Sequence, residues 1–310
     1  MARYLVTGGC GFIASHLADA LVARGDSVRI LDDLSTGKRE SAPEAAEVTV
    51  GDVADAALVR ALMKDADGCF HLAAVASVQR ANEDWVNVHR SNLTGAVAVF
   101  DGARQGRGGK MPVVYASSAA IYGDDPNVPL TEDGEHRPLT AYGADKLGCE
   151  LHGRVAWQVH GVPTTGLRFF NVYGPRQDPA SPYSGVIAIF ADRIAARRPI
   201  TIFGDGNQTR DFIFVADVVA HLLAAMERCA GGAQVFNVCT GTATSVLDLA
   251  RTIGELAGHR PEIRHDSPRA GDIRVSIGDP RRATRALGVA ATTALADGLG
   301  RTLRFGAKAG

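Results

Sequence analysis

Two groups of residues have types and spacing that could do chemistry, and the first is Tyr142, Gly143, Ala144, Asp145, Lys146. A tyrosine and a lysine four residues apart share one face of a helix, so a phenol and an ammonium can address one point. A free tyrosine titrates near 10, and service as a base at neutrality requires a depression of roughly three units, about 4 kcal/mol. Two nearby positive charges in a partly desolvated site would supply it. By itself the Tyr-x-x-x-Lys spacing is common by chance and marks a surface helix. Here a strand-like run at 113–117 precedes it and delivers Ser118 at its C-terminal end, so hydroxyl, phenol and ammonium converge.

The second group opens the chain. Tyr4, Leu5, Val6 and Thr7 read as a strand, followed by Gly8, Gly9, Cys10, Gly11, Phe12, Ile13 and Ala14 and then helical spacing. From Gly9 the pattern is G-x-G-x-x-A, in which glycines let the backbone approach a pyrophosphate and Ala14 sits where the helix packs close to the strand. Exposed amides at the helix N-terminus then bind the anion. Gly8, Gly11, Phe12 and Ile13 are the expected contacts. A second strand from residue 27 ends in Asp32 and Asp33, about 20 residues on, where a carboxylate accepts hydrogen bonds from a ribose 2′-hydroxyl and repels a 2′-phosphate. NAD is therefore expected over NADP, with Arg29 and Lys38 as the nearby cations that argue the other way. The bland alternative for three close glycines is an ordinary surface turn.

The elements that must position these groups alternate. Strand-like runs follow Asp26 and recur at 48–50, 69–72, 113–117 and 164–169, separated by helical stretches at 55–64 and 92–104. The expected fold is α/β, a doubly wound parallel sheet of Rossmann type with helices on both faces. Residues 106–110 read as a flexible basic connection and 123–138, rich in Pro, Asp and Gly, as a loop after a strand's C-terminal end, where such sheets bind ligands. From Gly174, Pro175, Pro179 and Pro182 break the pattern, followed by a helix at 186–197 and a strand at 201–203. The expected organisation is a dinucleotide-binding domain over 1–173 with a return segment near 210–240, and a smaller, interleaved substrate domain over 174–310.

Composition narrows the class. A chain of 310 residues, 46% hydrophobic and 22% charged, can bury a substantial core. A net charge of −1 gives no general attraction to nucleic acid or an anionic membrane, so neither partner is expected. The arginines after residue 259 are either a local anion site or a solvated face. Cys10, Cys69, Cys149, Cys229 and Cys239 are odd in number, scattered and free of C-x-x-C spacing, which suggests a reducing compartment rather than a disulfide framework or zinc site. The nine histidines show no ligand spacing, and no metal is expected. No apolar run reaches membrane-spanning length and no charged leader precedes the first strand, so a cytoplasmic location is expected.

With these residues in place, the sequence resembles the extended short-chain dehydrogenase/reductase family and, within it, the UDP-hexose 4-epimerases, over nearly the whole chain. Matching stretches around NAD are Asp32, Asp33, Leu34, Ser35, Thr36, Gly37; Gly51, Asp52, Val53; His71, Leu72, Ala73, Ala74; and Asn92. The resemblance implies that Asp52 and Val53 flank the adenine, that Leu72, Ala73 and Ala74 line the pyrophosphate side, and that Phe170 joins Tyr142 and Lys146 at the cofactor. Arg168, Phe169, Phe170, Asn171, Val172, Tyr173, Gly174, Pro175 matches a stretch whose asparagine contacts the nucleotide-sugar diphosphate. The segment from Gly204 to Phe212 matches one whose arginine, here Arg210, binds the same group. Arg269 and Asp272 match the pair that holds phosphate and uridine ribose. Guanidinium groups suit a diphosphate because each donates two parallel hydrogen bonds. Val186, Thr201 and Phe203 are implied to lie against the substrate.

The same resemblance separates relatives. Dehydratases and decarboxylases of the group carry acidic residues shortly after the serine or threonine, whereas Ser118 is followed by Ala119, Ala120, Ile121, Tyr122 and Gly123. It implies that Tyr142, assisted by Ser118, takes the proton of the sugar's 4-hydroxyl while C4 is oxidised by NAD, that the 4-keto sugar turns over, and that reduction returns from the other face. The position whose bulk gates the sugar's 2-substituent falls on Ser276. A small residue there leaves room for an N-acetyl group, which favours UDP-N-acetylglucosamine and UDP-N-acetylgalactosamine. The alternatives are an enzyme restricted to UDP-glucose and UDP-galactose, one acting on UDP-glucuronate, and a regulator that binds NAD without chemistry. Two departures are Ala14 in place of the more usual glycine and Ser117 as a rival hydroxyl. A homodimer paired through helices of the 92–104 and 142–160 type is implied by analogy.

Overall fold

The computed structural model describes residues 1–106, 110–178, 185–229, 231–268 and 273–309. Strands β1 (Arg3–Thr7), β2 (Ser27–Asp32), β3 (Glu47–Val50), β4 (Gly68–His71), β5 (Val113–Ser118) and β6 (Thr164–Phe169) join the later strand Ala233–Val238 in one seven-stranded parallel sheet. The runs are apolar and mostly buried because helices cover both faces. Across the sheet the order is Ala233–Val238, β6, β5, β4, β1, β2, β3. Strand order therefore reverses at β1, which pairs with β2 on one side and β4 on the other. In an open α/β sheet that reversal leaves a crevice beyond the carboxyl ends of the strands, and ligands bind there.

Helix α1 (Phe12–Ala23) turns Ala14, Leu17, Ala18 and Leu21 to the sheet at helical spacing. It shares a core with Val218, Leu222 and Phe70 on one face. On the other face Val59, Met63, Val99, Phe100, Tyr115 and Cys149 form a second core. Each fully buried leucine or phenylalanine of these layers contributes roughly 1.5–3 kcal/mol. The helix Ala141–His160 starts where Thr140 Oγ1 accepts the amide of Gly143 at 3.1 Å and stops where Gly161 turns left-handed at φ 67°. Such an N-cap contributes about 1 kcal/mol and fixes the turn that carries Tyr142.

A third core, built from Ile187, Phe190, Ile194, Ile202, Leu249 and Ile253, takes in residues from two of the three small sheets that the chain forms outside the main one. Phe212–Phe214 pairs in parallel with Asn171–Tyr173. Thr209–Arg210 sits between Thr244–Ser245 and Val275–Ser276. Ile200–Phe203 pairs with Ile263–Asp266.

Several elements differ in detail from the sequence reading. The helix expected at 92–104 is the last part of a longer run: helix Trp85–His89, a π-helical stretch Arg90–Thr94, then helix Gly95–Ala103. The extra residue of that stretch turns Asn92 into the interior, where it is fully buried. The helix expected to reach 197 ends at Ala195, and Arg197 adopts φ 54°. Loop 123–138 holds one isolated bridge, between Leu130 and Gly278.

Candidate active site

The glycine turn leaves β1 at the strand-order reversal. Gly8 has φ 69°, and a Cβ there would sit 2.7 Å from the Ala73 Cα and 2.8 Å from its amide nitrogen. Only glycine permits that crossing of the β1 and β4 carboxyl ends. Among the described residues no side chain caps α1, so the amides after Gly11, at Phe12 and Ile13, have no side-chain acceptor. A bare helix N-terminus beneath a glycine turn fits a phosphate group.

Asp32, at the end of β2, is 7% exposed. Its Oδ2 accepts the Cys10 amide at 2.9 Å and its Oδ1 accepts the Leu34 amide at 2.8 Å. Burial raises the carboxyl above its ordinary range, against the pull of those two amides. Gly37 closes over the pair, since a Cβ there would lie 2.9 Å from the Cys10 carbonyl carbon. Asp33, Ser35 and Thr36 are exposed beside it, with Ser35 bonded to Asp33 through both amide and hydroxyl. The two cations that argued for NADP are engaged elsewhere: Arg29 with Glu47 and the Leu62 carbonyl, Lys38 with Asp178.

The end of β4 forms the facing wall. Leu72, Ala73 and Ala74 are half-buried, and the Ala73 amide donates to Thr7 Oγ1 at 3.3 Å. Asn92 stands behind this wall: its Oδ1 accepts the Val75 amide at 2.8 Å and its Nδ2 donates to the Val75 carbonyl. Asp52 is held by Arg90, and Val53 is buried against Gly95.

Ser118 ends β5 with its Oγ accepting the Ala120 amide at 3.1 Å, which leaves its own proton to donate. The rival Ser117 points the other way, 2% exposed, and donates to Glu150 at 2.5 Å. Strand alternation separates the two hydroxyls onto opposite sides. Gly143 is what brings Tyr142 to Ser118, because a Cβ there would meet the Ala120 carbonyl oxygen at 2.7 Å. The helix N-terminus thus rests on the turn Ala119–Ile121. Lys146, 2% exposed, donates to the Ala116 carbonyl at 2.9 Å and places Nζ 5.9 Å from the Tyr142 ring centroid. Ser118, Tyr142 and Lys146 therefore come together at the carboxyl end of β5, beside the β1–β4 crevice.

His71, the last residue of β4, shares a 2.8 Å hydrogen bond with Thr7 through Nδ1 and is 2% exposed. Burial, reinforced by the Lys146 charge, lowers its imidazole to about 3, so the ring is neutral.

On the substrate side, Asn171 donates Nδ2 to the Asp211 carbonyl at 3.1 Å. Arg210 donates to the Thr209 and Ile273 carbonyls at 2.9 and 2.6 Å. Ser276, 9% exposed, pairs in register with Arg210. Phe170 is buried and packs on Gly278. Val186 lies against the third core, Phe203 is half-buried, and Thr201 is exposed opposite the buried Ile200 and Ile202. Arg269 and Asp272 lie outside the described residues. Asp211, fully buried, accepts Thr240 and Gly241 amides and the Thr240 hydroxyl, and so ties the 210–211 turn to the sheet's edge strand. Sequence reasoning missed Arg90 and Glu150, and met Arg168 and Asp211 only as members of matched stretches with no role, because nothing local marks a charge that is paired across the fold.

Residues 4–239 match the model of the NAD dependent epimerase/dehydratase family. A UDP-glucose 4-epimerase of Mycolicibacterium smegmatis is 39% identical over 310 residues, covering 98% of this chain and 98% of its own length. The crystal structure of Thermotoga maritima UDP-glucose 4-epimerase with UDP-glucose superposes with a TM-score of 0.93 at 35% identity, over 99% of each chain. A UDP-N-acetylglucosamine 4-epimerase of Methanobrevibacter ruminantium, in complex with UDP-N-acetylmuramic acid, superposes with a TM-score of 0.94 at 31% identity, over 100% of this chain and 99% of that one.

Proposed function

This chain belongs to the NAD dependent epimerase/dehydratase family, and from that premise we propose that it is an isomerase inverting C4 of a UDP-hexose, with UDP-N-acetylglucosamine and UDP-N-acetylgalactosamine as the favoured pair. The observation that carries the reading is the meeting of Ser118, Tyr142 and Lys146 at the end of β5, next to a crevice that only Gly8 allows. That crevice suits NAD: the uncapped amides after Gly11 would hold the diphosphate, Asp32 the adenosine ribose, and Asp52 with Val53 the adenine. Bound NAD supplies reversible oxidation at C4.

The protein's own groups do the rest. Tyr142 takes the proton of the 4-hydroxyl and later returns it, which is general base and then general acid work. Ser118 donates its hydroxyl proton toward the sugar oxygen as charge develops there. Lys146, buried and held by the Ala116 carbonyl, keeps its ammonium group beside the Tyr142 ring. Asn171 and Arg210, with Arg269 and Asp272, would grip the diphosphate and uridine so that the 4-keto sugar can turn over without leaving. Val186, Thr201 and Phe203 complete the proposed substrate wall.

The acetylated pair rests on Ser276, a small residue in register with Arg210, where a bulkier side chain would take the space of a 2-substituent. A second reading, UDP-glucose and UDP-galactose alone, is favoured by the two relatives named UDP-glucose 4-epimerase. Incubating the purified protein separately with UDP-N-acetylglucosamine and UDP-glucose, and following C4 configuration by proton NMR, decides between them. Conversion of UDP-glucose only would remove the Ser276 gate and keep the chemistry; conversion of neither, with NAD supplied, would overturn the proposed function.

We also propose that the working form is a homodimer. Leu151, Val155 and Val159 recur at helical spacing as exposed residues on the helix Ala141–His160, next to exposed Val97 on its neighbour. A second copy of the chain would cover that stripe. A monomer mass in light scattering at micromolar concentration would contradict it.

A further inference from the structure

Arg168 lies on β6, 2% exposed, and all five of its N–H groups are spent. Nε donates to Glu150 Oε1 at 2.9 Å and Nη2 to Glu150 Oε2 at 2.7 Å. Nη1 donates to the Tyr122 hydroxyl at 2.7 Å and to the Glu132 carbonyl at 3.1 Å. The second Nη2 proton goes to His136 Nε2 at 2.9 Å, and since a guanidinium can only donate, that nitrogen is the acceptor. Glu150 keeps the guanidinium charged, outweighing the downward pull of burial.

The network runs on from Tyr122, whose hydroxyl donates to Asn237 Oδ1 at 2.6 Å. Asn237 Nδ2 donates to the Leu130 carbonyl at 2.9 Å. Leu130 is in turn bonded on both sides to the segment that follows Ser276: its amide donates to the Ile277 carbonyl at 2.8 Å, and its carbonyl accepts the Asp279 amide at 2.9 Å. At the other end Glu150 lies four residues, about one helical turn, beyond Lys146, and accepts the hydroxyl of Ser117, the neighbour of Ser118. One saturated buried network thus links the helix of Tyr142, the strand end of Ser118 and the segment after Ser276.

We propose that Arg168 is the positioning residue that fixes the sugar-side segment 276–279 relative to the helix of Tyr142. The inference rests on the proposed function, in which a 4-keto sugar must turn over inside one enclosure and present C4 again before it leaves. A wall displaced by even an ångström would cost turnover steeply without weakening the grip on the nucleotide. Burial and full satisfaction make the network rigid, because any shift leaves a charged donor or acceptor unpaired.

The test uses the holoenzyme and its UDP-hexose substrate, with Tyr122→Phe as the first variant. That change deletes the hydroxyl that joins the Arg168 and Asn237 side chains, and leaves in place both the Glu150 pair and Glu132, whose Oε1 accepts the Asn237 amide at 2.8 Å. The expected result is a kcat lower by about tenfold or more, with KM little changed. Cofactor left reduced should also accumulate during turnover, read by its near-ultraviolet absorbance. In that failure the C4 hydrogen has passed as hydride to NAD, the hydroxyl proton sits on Tyr142, and the keto sugar departs before reduction. Glu150→Gln, which keeps shape but removes the charge facing Arg168, should give the same signature and stands in if Tyr122→Phe does not fold. Melting temperature is followed in both. Variants with wild-type kcat and KM and no reduced cofactor, whatever their melting temperature, would overturn the positioning role. Failure of the wild type to epimerise would instead overturn the functional reading.

Discussion

The backbone amide of Cys10, inside the glycine turn, donates to the carboxylate of Asp32 at 2.9 Å. The group expected to meet a ribose therefore also pins the turn expected to meet a diphosphate. Asp32→Ala should weaken NAD binding at both ends and lower stability by about 2 kcal/mol, because two backbone donors lose a charged acceptor. Calorimetric titration with NAD and urea unfolding of the same samples check this. Weaker binding at unchanged stability would confine Asp32 to a ribose contact.

The opposite facing of Ser117 and Ser118 divides two hydroxyls that are neighbours in sequence. Ser118→Ala and Tyr142→Phe should each reduce turnover by about 10²-fold or more while NAD stays bound. Ser117→Ala should lower it less than about tenfold, with its cost appearing mainly as stability, since it removes one bond to Glu150. Steady-state kinetics with cofactor content measured in parallel would reverse the assignment if Ser117→Ala were the more damaging.

Ser276→Tyr should selectively impair the acetylated substrates. A tyrosine at a position 9% exposed and paired with Arg210 fills the volume that an N-acetyl group would need. The kcat/KM ratio of UDP-N-acetylglucosamine to UDP-glucose is the readout; equal losses on both would count against a gate at this position.

His71 makes stability depend on pH with a definite sign. Its folded-state value is lowered to about 3 from an ordinary 6.5, so between those values the unfolded chain binds the extra proton. Stability contributed by the neutral ring is present above about 6.5 and is lost as pH falls toward 3, by up to about 1.4 kcal/mol per pH unit. His71→Gln should flatten that slope between pH 6.5 and 4 in urea unfolding. An unchanged slope would show that other groups carry it.

The parts of the fold and site legible in the sequence were those governed by local rules. Glycines around Gly8, the apolar runs of β1 to β6 and the four-residue step from Tyr142 to Lys146 each carry their own geometry, and six strands of the parallel sheet follow from their alternation; the seventh, Ala233–Val238, lies within the stretch read only as a return segment. Ser117 and Ser118 show the limit. Period-two alternation puts them on opposite sides, but which side faces Glu150 depends on a helix some thirty residues later, set by tertiary packing. Arg168 opens a stretch that resembles the family, but only the fold gives it Glu150, Tyr122 and Glu132 as partners. The π-helical stretch at Arg90–Thr94 was hidden for a similar reason, since its helical periodicity differs by one residue. Asn92, expected at the cofactor, is buried with its side chain bonded to Val75, a contact that no local pattern marks.

In the proposed function C4 is oxidised and re-reduced within one site. Substrate carrying deuterium at C4, incubated in ordinary water with the holoenzyme and no added cofactor, separates this from exchange with solvent. Inverted product that retains the deuterium at C4 is the predicted result, because the hydrogen leaves and returns without meeting solvent. Product with the label washed out into water would mean that C4 exchanges as a proton, and the account built on Tyr142, Ser118 and the Gly8 crevice would be contradicted.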